Sequence, residues 1–192
     1  GYEDVKKEFD RVLSEKRMQP DAVRLVSPGM IAKFFRSGIA GRMKMADRQG
    51  KLRKESQFIL GIPAREMKAA DSNELVLIQG IIDAWFEEKD GLVIVDYKTD
   101  RVKEGEEQTL LDHYQVQLQY YARALSQITG KRVKEAVIYS LTIQKEISVP
   151  IGGSREGSCG RLPELTEKEG CIKKTARCCE KRLLFTGRNF LN

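Results

Sequence analysis

Residues 80–100, GIIDAWFEEKDGLVIVDYKTD, contain the pattern that decides the fold of this chain. Two apolar runs flank a Lys-Asp-Gly turn at residues 89–91, and this arrangement predicts a β-hairpin. Asp83 lies on the first predicted strand, and Asp96 and Lys98 lie at the end of the second. Because side chains alternate across a strand, Asp96 and Lys98 share one face. A register that pairs the two strands brings Asp83 beside them.

The predicted hairpin gathers two acids and an amine at its end. Such groups are costly to hold close together unless something binds there, and oxygen ligands favour a hard divalent cation, Mg2+ or Mn2+. The backbone carbonyl of Tyr97 adds a third oxygen ligand, and Lys98 can contact a water and a phosphate. These groups suit a metal-dependent phosphodiester hydrolase. For Asp83, an edge-strand acid paired with a surface lysine is the alternative interpretation.

The composition is that of a soluble globular protein. The 192 residues are 41% hydrophobic, which suffices for one domain with a core and appendages. No segment approaches the roughly 20 apolar residues that cross a bilayer, and no apolar signal-peptide core is present. We therefore expect a cytoplasmic protein that has no membrane partner.

The net charge of +6 is unevenly distributed along the sequence. Acidic residues are in excess between residues 74 and 149, whereas basic residues are in excess on both sides of this segment. An acidic centre between basic flanks suits a metal site bordered by surfaces that attract a polyanion. A solvated surface with accidental asymmetry explains the charge pattern equally well.

The cysteines are confined to the C-terminal tail, where they are Cys159, Cys171, Cys178 and Cys179. The adjacent pair matches no common zinc spacing, and His113 is the only histidine in the sequence. The sequence therefore predicts reduced thiols without a structural metal cluster.

Four helices are predicted from apolar residues at helical spacing. They cover residues 3–17, 30–37, 43–48 and 110–129. Ser27 is expected to cap the second helix, and Gly38 and Gly41 to interrupt it before the third. Gly130 is expected to end the fourth helix in the C-cap manner.

Five strands are predicted from apolar runs that turn residues bound. They cover residues 52–62, 74–88, 92–97, 133–143 and 147–151. Together with the helices, this order predicts an α/β fold with a mixed central β-sheet flanked by helices. Beyond about residue 150 the periodicity fades, which predicts a weakly structured tail with a short helix near residues 167–184.

Four short motifs occur in an order that resembles one known family. Residues 80–83 (GIID) resemble its G-x-x-D strand, residues 95–99 (VDYKT) its D-Y-K-T strand, and residues 117–122 (QLQYYA) its Q-x-x-x-Y helix. Residues 53–58 (RKESQF) resemble the preceding strand, which carries an acidic residue. Over about residues 25–149 the chain thus resembles the RecB-type PD-(D/E)xK nuclease family, and most of all its AddA branch.

This resemblance implies a restriction-endonuclease-like core and assigns roles to individual residues. The catalytic residues that it implies are Asp83, Asp96 and Lys98. The metal ligands are Asp83, Asp96 and the Tyr97 carbonyl, with Glu55 as an additional ligand. Gln117 and Tyr121 would line the site and contact the DNA strand. A solvated role for Glu55 and a purely core-packing role for Tyr121 are the alternatives.

The resemblance also implies a division of the chain and a function. Residues 1–24 form an N-terminal helical segment, residues 25–151 the nuclease core, and residues 152–192 a basic tail with glycines and cysteines. The implied function is a Mg2+- or Mn2+-dependent DNA exonuclease domain of a bacterial helicase-nuclease, which processes double-strand ends for recombinational repair. Its partners would be DNA single strands, a helicase motor region and a second subunit. The chain itself has no phosphate-binding G-x-x-x-x-G-K-[ST] loop.

Two other functions fit parts of the sequence. A metal-binding histidine is expected far upstream in the family, and the sequence before the hairpin contains none. This favours a catalytically impaired nuclease-fold module for DNA binding or subunit docking, although the two acids and Lys98 count against it. A stand-alone nuclease of the Cas4 or phage type would require a four-cysteine cluster, which the cysteine spacing does not match.

Overall fold

The computed structural model describes residues 1–15, 25–67 and 73–151. The predicted tail helix and the four cysteines lie outside these residues. The helices are α1 (Tyr2–Ser14), α2 (Pro28–Phe34), α3 (Gly38–Arg48) and α4 (Glu107–Thr129). The strands are β1 (Leu52–Pro63), β2 (Leu75–Glu88), β3 (Gly91–Lys98), β4 (Val133–Ser140) and β5 (Lys145–Val149). A 3-10 helix (Ala64–Met67) follows β1.

The strands form one mixed sheet in the order β1-β2-β3-β4-β5. All neighbouring pairs are antiparallel except β3 and β4, which are parallel. Parallel neighbours need a crossover connection, and α4 supplies it. The prediction of an α/β fold with a mixed, helix-flanked sheet is therefore confirmed. In the described residues, none of the helices has the length and hydrophobicity to cross a membrane.

Two apolar layers cover the two faces of the sheet. Helices α1, α2 and α3 pack on one face, where Phe34 contacts Tyr97 and Tyr139 edge to face at 5.3 and 4.8 Å between ring centroids. Helix α4 packs on the other face, where it buries Leu118 and Leu125. Residues that alternate along β3 therefore point to different helices, so a polar group at its end faces either α4 or the α1–α3 layer.

The predicted hairpin is present between β2 and β3. Glu88 pairs with Gly91, and Lys89 and Asp90 form the two-residue turn. Gly91 has φ +150°, and a Cβ there would lie 2.8 Å from the carbonyl oxygen of Arg132. Only glycine fits this close approach of two backbones without a shift. The hairpin is thus fixed by its turn and by contact with the start of β4.

The prediction that Gly38 and Gly41 interrupt a helix was wrong. Both belong to α3, which begins at Gly38 rather than at residue 43. Ser37 caps this helix, and Oε1 of Glu146 on β5 accepts a hydrogen bond of 2.8 Å from the backbone N–H of Ile39. An acceptor from a distant strand therefore satisfies the helix start, and this tertiary contact outweighs the low helix propensity of glycine.

The last two strands begin and end at other residues than predicted. Strand β4 ends at Ser140, and β5 begins at Lys145 instead of residue 147. Between them the chain turns, and Gln144 takes a left-handed backbone conformation with φ +57°. The apolar residues Leu141 and Ile143 made this turn resemble a continuing strand in the sequence.

Candidate active site

The predicted site residues converge where β2 separates from β3. The ladder between these strands ends with the pair Ala84 and Val95, and Asp83 is the next residue on β2. Its Oδ2 accepts a hydrogen bond of 3.1 Å from the backbone N–H of Tyr97. The carboxylate thus takes the position of a ladder partner for β3. The predicted register, which brings Asp83 beside the end of the second strand, is confirmed.

Glu55 lies in the same row of the sheet as Asp83, on the neighbouring strand β1. Lys54 pairs with Ala84 and Ser56 pairs with Ile82, so Glu55 and Asp83 are the intervening residues. Glu55 has φ +51°, a left-handed conformation that costs a residue with a Cβ roughly 1–2 kcal/mol. A strained residue on an otherwise regular strand marks a position where geometry is constrained.

The strands β1 and β2 change face at this row. On β1, Leu52 belongs to the α1–α3 layer but Phe58 belongs to the α4 layer, although a regular strand would place both on one face. On β2, Ala84 and Ile82 are divided in the same way. The irregularity at Glu55 therefore turns the far part of both strands toward α4. The site lies at the turning point.

Asp96 and Lys98 form a buried ion pair at the end of β3. Nζ of Lys98 lies 2.6 Å from Oδ2 of Asp96, and the two residues are 5% and 1% exposed, with Lys98 the more exposed. Removing two charges from water is costly, and their close contact compensates for this. Tyr97, between them, packs on the opposite face against Phe34, as the alternation predicted.

Helix α4 closes the site on the side of Lys98. Oε1 of Gln117 accepts a hydrogen bond of 3.5 Å from Nζ of Lys98, and Nε2 of Gln117 donates to the hydroxyl of Tyr121. The ring of Tyr121 packs edge to face on Phe58 at 5.3 Å. Burial is the main cause that raises the pKa of Tyr121, so its hydroxyl stays neutral. Gln117 and Tyr121 are therefore part of the site, as predicted.

Gly80 makes room for this wall. A Cβ on Gly80 would lie 2.9 Å from the ring of Phe58 and 3.2 Å from the ring of Tyr121. Any larger residue would displace one of these rings. The glycine in the G-x-x-D motif thus allows α4 to approach the sheet.

Two residues of the site, Tyr114 and Asp100, were missed by the sequence analysis. The ring of Tyr114 lies under Nζ of Lys98, at 3.9 Å from the ring centroid, and its hydroxyl donates a 2.8 Å hydrogen bond to Oδ1 of Asp100. A signal for Tyr114 was present, because it precedes Gln117 by three residues and Tyr121 by seven. Residues at this spacing share one face of a helix.

The carbonyl of Tyr97 points toward β2, as a metal ligand beside Asp83 would require. The backbone N–H of Leu141 donates to the carbonyl of Lys98 at 2.8 Å, so the Lys98 carbonyl points toward the β4 side. Successive carbonyls of a strand point to opposite sides, and the N–H of Tyr97 already contacts Asp83. The carbonyl of Tyr97 therefore lies on the same side as Asp83.

The oxygen atoms of the site suit a small divalent cation. Mg2+ is usually held by one or two carboxylates, with waters and substrate phosphates as its other ligands. Asp83, Asp96 and the Tyr97 carbonyl fit this pattern. Glu55 is exposed and shares only the register row, and in the described residues no three His, Cys, Asp or Glu side chains form a metal-binding group. His113 is exposed on α4.

Comparison with known proteins agrees with this geometry. A sequence profile of the PD-(D/E)XK nuclease superfamily matches residues 2–182. The chain belongs to this superfamily. The match extends from α1 to beyond β5, so the whole described sheet and both candidate carboxylates lie within it. The family resemblance that the four motifs predicted is confirmed.

Several proteins similar to this chain are named as AddA-type subunits of ATP-dependent helicase/nucleases. The protein from Lachnoclostridium phytofermentans is 35% identical over 178 residues, which cover 74% of this chain and 13% of the relative. The protein from Clostridium novyi is 36% identical over 152 residues (77% and 12%). The protein from Acetivibrio thermocellus is 38% identical over 144 residues (72% and 11%). The chain therefore spans only 11–13% of the length of these relatives.

Proposed function

We propose that this chain is the Mg2+-dependent DNA exonuclease domain of a helicase-nuclease that processes double-strand DNA ends for recombinational repair. The observation that carries the proposal is the buried assembly of Asp83, Asp96 and Lys98 at the end of the β2–β3 hairpin. Membership of a nuclease superfamily supports the chemistry. The names of the relatives support the context of a helicase-nuclease.

In this proposal the metal ligands are oxygen atoms from neighbouring strands. Asp83 and Asp96 supply carboxylates, the Tyr97 carbonyl supplies a third oxygen, and Glu55 is an additional ligand across the row from Asp83. Nucleases of this superfamily generally use divalent metal ions, and Mn2+ suits the same ligands as Mg2+. When bound, the cation supplies positive charge that acidifies water and stabilises the charge on the phosphate.

Lys98 is the residue that orients the reactants. Its ammonium group lies on the face of β3 that points to α4, where it can donate a hydrogen bond to the attacking water and to a phosphate oxygen. Gln117 and Tyr121 form the wall beside it and are the proposed contacts of the DNA strand. Because these groups are held by packing and hydrogen bonds, they need little reorganisation when substrate binds.

The proposed partners follow from the same context. DNA single strands reach the domain from a helicase motor region, and a second subunit completes the complex. The proposed location is the bacterial cytoplasm. These assignments rest on similarity to relatives of which this chain matches about 12%.

A second candidate function is a catalytically impaired module for DNA binding or subunit docking. The observation that favours it is the position of Glu55, which is exposed and does not join the two buried carboxylates in a three-residue metal group among the described residues. Such a module would bind DNA in the presence of Mg2+ without cutting it.

Cleavage of end-labelled single-stranded DNA by the full chain tests the proposal. With Mg2+ or Mn2+ present, Asp83→Asn and Asp96→Asn are each expected to lower the rate by at least about 100-fold, because each removes a charged ligand of nearly unchanged shape. Asp90→Asn, in the exposed hairpin turn, is the matched control and should stay within about twofold. Unchanged cleavage by Asp83→Asn or Lys98→Ala would show that the proposed site is wrong.

Two further outcomes refine the test. Metal-dependent binding of the unmodified chain without any cleavage would favour the second candidate. A linear strand that is degraded while a circular strand of the same sequence survives would support exonuclease action, because only the linear strand has ends.

A further inference from the structure

We infer that Tyr114 is a positioning residue, which holds the ammonium group of Lys98 against its aromatic ring while Asp100 fixes the ring. This inference rests on the proposed function, because it concerns how Lys98 is oriented for cleavage. It adds two residues that neither the motifs nor the family membership assign.

The contact between Lys98 and Tyr114 has the geometry of a cation–π interaction. Nζ of Lys98 lies 3.9 Å from the centroid of the Tyr114 ring, well inside the roughly 6 Å over which the ring quadrupole attracts a cation. The attraction strengthens when water is excluded. Lys98 is 5% exposed, so the exclusion of water is nearly complete on its side.

Asp100 anchors the ring from the far side. Oδ1 of Asp100 accepts a 2.8 Å hydrogen bond from the Tyr114 hydroxyl, and this bond crosses from the end of β3 to α4. Oδ2 of Asp100 is buried without a hydrogen-bond partner in the described part of the chain. A carboxylate in this position is expensive unless the remaining bond is strong, and its bond to the phenol has that character.

Lys98 needs a partner that leaves the carboxylates to the metal. Asp96 holds its ammonium group at 2.6 Å, but the proposed function gives the same carboxylate a second role as a ligand. Gln117 offers a longer hydrogen bond of 3.5 Å. The face of an aromatic ring attracts the ammonium group without occupying any oxygen atom. Tyr114 can therefore keep Lys98 in place when Asp96 binds something else.

The first part of the experiment measures kinetics with the full chain, Mg2+ and labelled single-stranded DNA. Tyr114→Phe keeps the ring and is expected to retain kcat within about threefold, whereas Tyr114→Leu is expected to lose about tenfold or more in kcat, with little change in KM. Asp100→Ala should lose less than Tyr114→Leu, because the ring remains. His113→Leu changes the neighbouring exposed residue of the same helix and is the matched control.

A series of fluorinated phenylalanines at position 114 separates electrostatics from packing. Fluorine withdraws the negative charge from the ring face but hardly changes its shape, so kcat should fall stepwise with each added fluorine while the melting temperature stays constant. This series remains informative even if Tyr114→Leu does not fold. A kcat that is independent of fluorination would overturn the inference.

The second part needs neither metal nor DNA. In the 13C-labelled chain, the ε-methylene protons of Lys98 should be shifted upfield by the ring beneath them, and Lys98→Ala assigns the signal. The shift should persist in Tyr114→Phe and disappear in Tyr114→Leu. An unshifted signal, or equal kcat for Tyr114→Leu and Tyr114→Phe, overturns the inference alone. Full cleavage by Lys98→Ala instead overturns the proposed function.

Discussion

Asp83 on β2 accepts a hydrogen bond from the backbone N–H of Tyr97 on β3 at 3.1 Å, directly beyond the last pair of the ladder between these strands. A side chain thus continues the connection that the two backbones no longer make. The same carboxylate belongs to a residue that is 5% exposed and is a proposed metal ligand. Structure and chemistry therefore depend on one group, and substitutions can separate the two roles.

Asp83→Ala and Asp83→Asn are expected to differ in stability although both lose activity. Alanine leaves the buried N–H of Tyr97 without its acceptor, which costs about 1–3 kcal/mol, whereas the asparagine carbonyl still accepts the bond. Urea unfolding of both variants measures this difference. Equal stability of Asp83→Ala and the unmodified chain would mean that the hydrogen bond contributes nothing.

Gly80→Ala is expected to destabilise the fold and disturb the α4 wall. The new methyl group would lie 2.9 Å from the Phe58 ring, and overpacking of this kind costs about 1–3 kcal/mol. Gly41→Ala is the matched control, because a Cβ there meets nothing within 4 Å and alanine favours the helix by up to about 1 kcal/mol. Thermal unfolding should therefore move in opposite directions for the two variants.

A second comparison locates the clash at Gly80. The additional substitution Phe58→Leu should recover part of the stability lost by Gly80→Ala, since it removes the ring that the methyl group meets. Absence of any recovery would place the cause of destabilisation elsewhere on the strand.

Glu88 should make stability depend on pH at acidic values. Its hydrogen bonds with Arg42 lower the pKa of this carboxyl to about 2, with a further contribution from Lys134. A lowered pKa in the folded state stabilises the protein above the unfolded value near 4.5, and this contribution is lost as the pH falls toward 2. The difference in unfolding free energy between the unmodified chain and Glu88→Gln should thus shrink from pH 6 to pH 3.

The guanidinium group is the test of the cause. In an Arg42→Met background, the same pair of proteins should show a much weaker dependence on pH, because the group that lowers the pKa of Glu88 is gone. An unchanged pH dependence would assign the effect to other carboxylates.

Glu55 should show a trade-off between stability and activity. Glu55→Gly relieves the left-handed conformation at φ +51° and is expected to stabilise the fold by up to about 1 kcal/mol. Glu55→Gln keeps the strain and loses the charge. If Glu55 is a metal ligand, both variants lose cleavage while only the glycine variant gains stability. Full cleavage by both variants would exclude Glu55 from the site.

The hairpin and the ion pair could be predicted because local sequence determines them. The short turn fixes the register between β2 and β3, and alternation then sets the faces of Asp96 and Lys98. The spacing of Gln117 and Tyr121 on one helix face was equally predictable. Each of these features depends on residues that are close in the sequence or in regular structure.

The features that escaped prediction depend on contacts between distant residues. Helix α3 starts at Gly38 because Glu146, more than one hundred residues later, accepts a hydrogen bond from its first turn. The left-handed backbone at Glu55 belongs to a residue type that rarely adopts it, so the sequence contains no sign of it. Tyr114 reads as a packing residue until the structure brings Lys98 above its ring.

The central claim is that a divalent cation binds between Asp83 and Asp96. The most direct measurement is anomalous X-ray diffraction from crystals of the full chain soaked in Mn2+, with Asp83→Asn crystals as the control. We predict an anomalous peak within about 2.5 Å of carboxylate oxygens of both residues and near the Tyr97 carbonyl, lost or much weaker in the variant. A fully occupied manganese site elsewhere, with no peak between Asp83 and Asp96, would contradict the account.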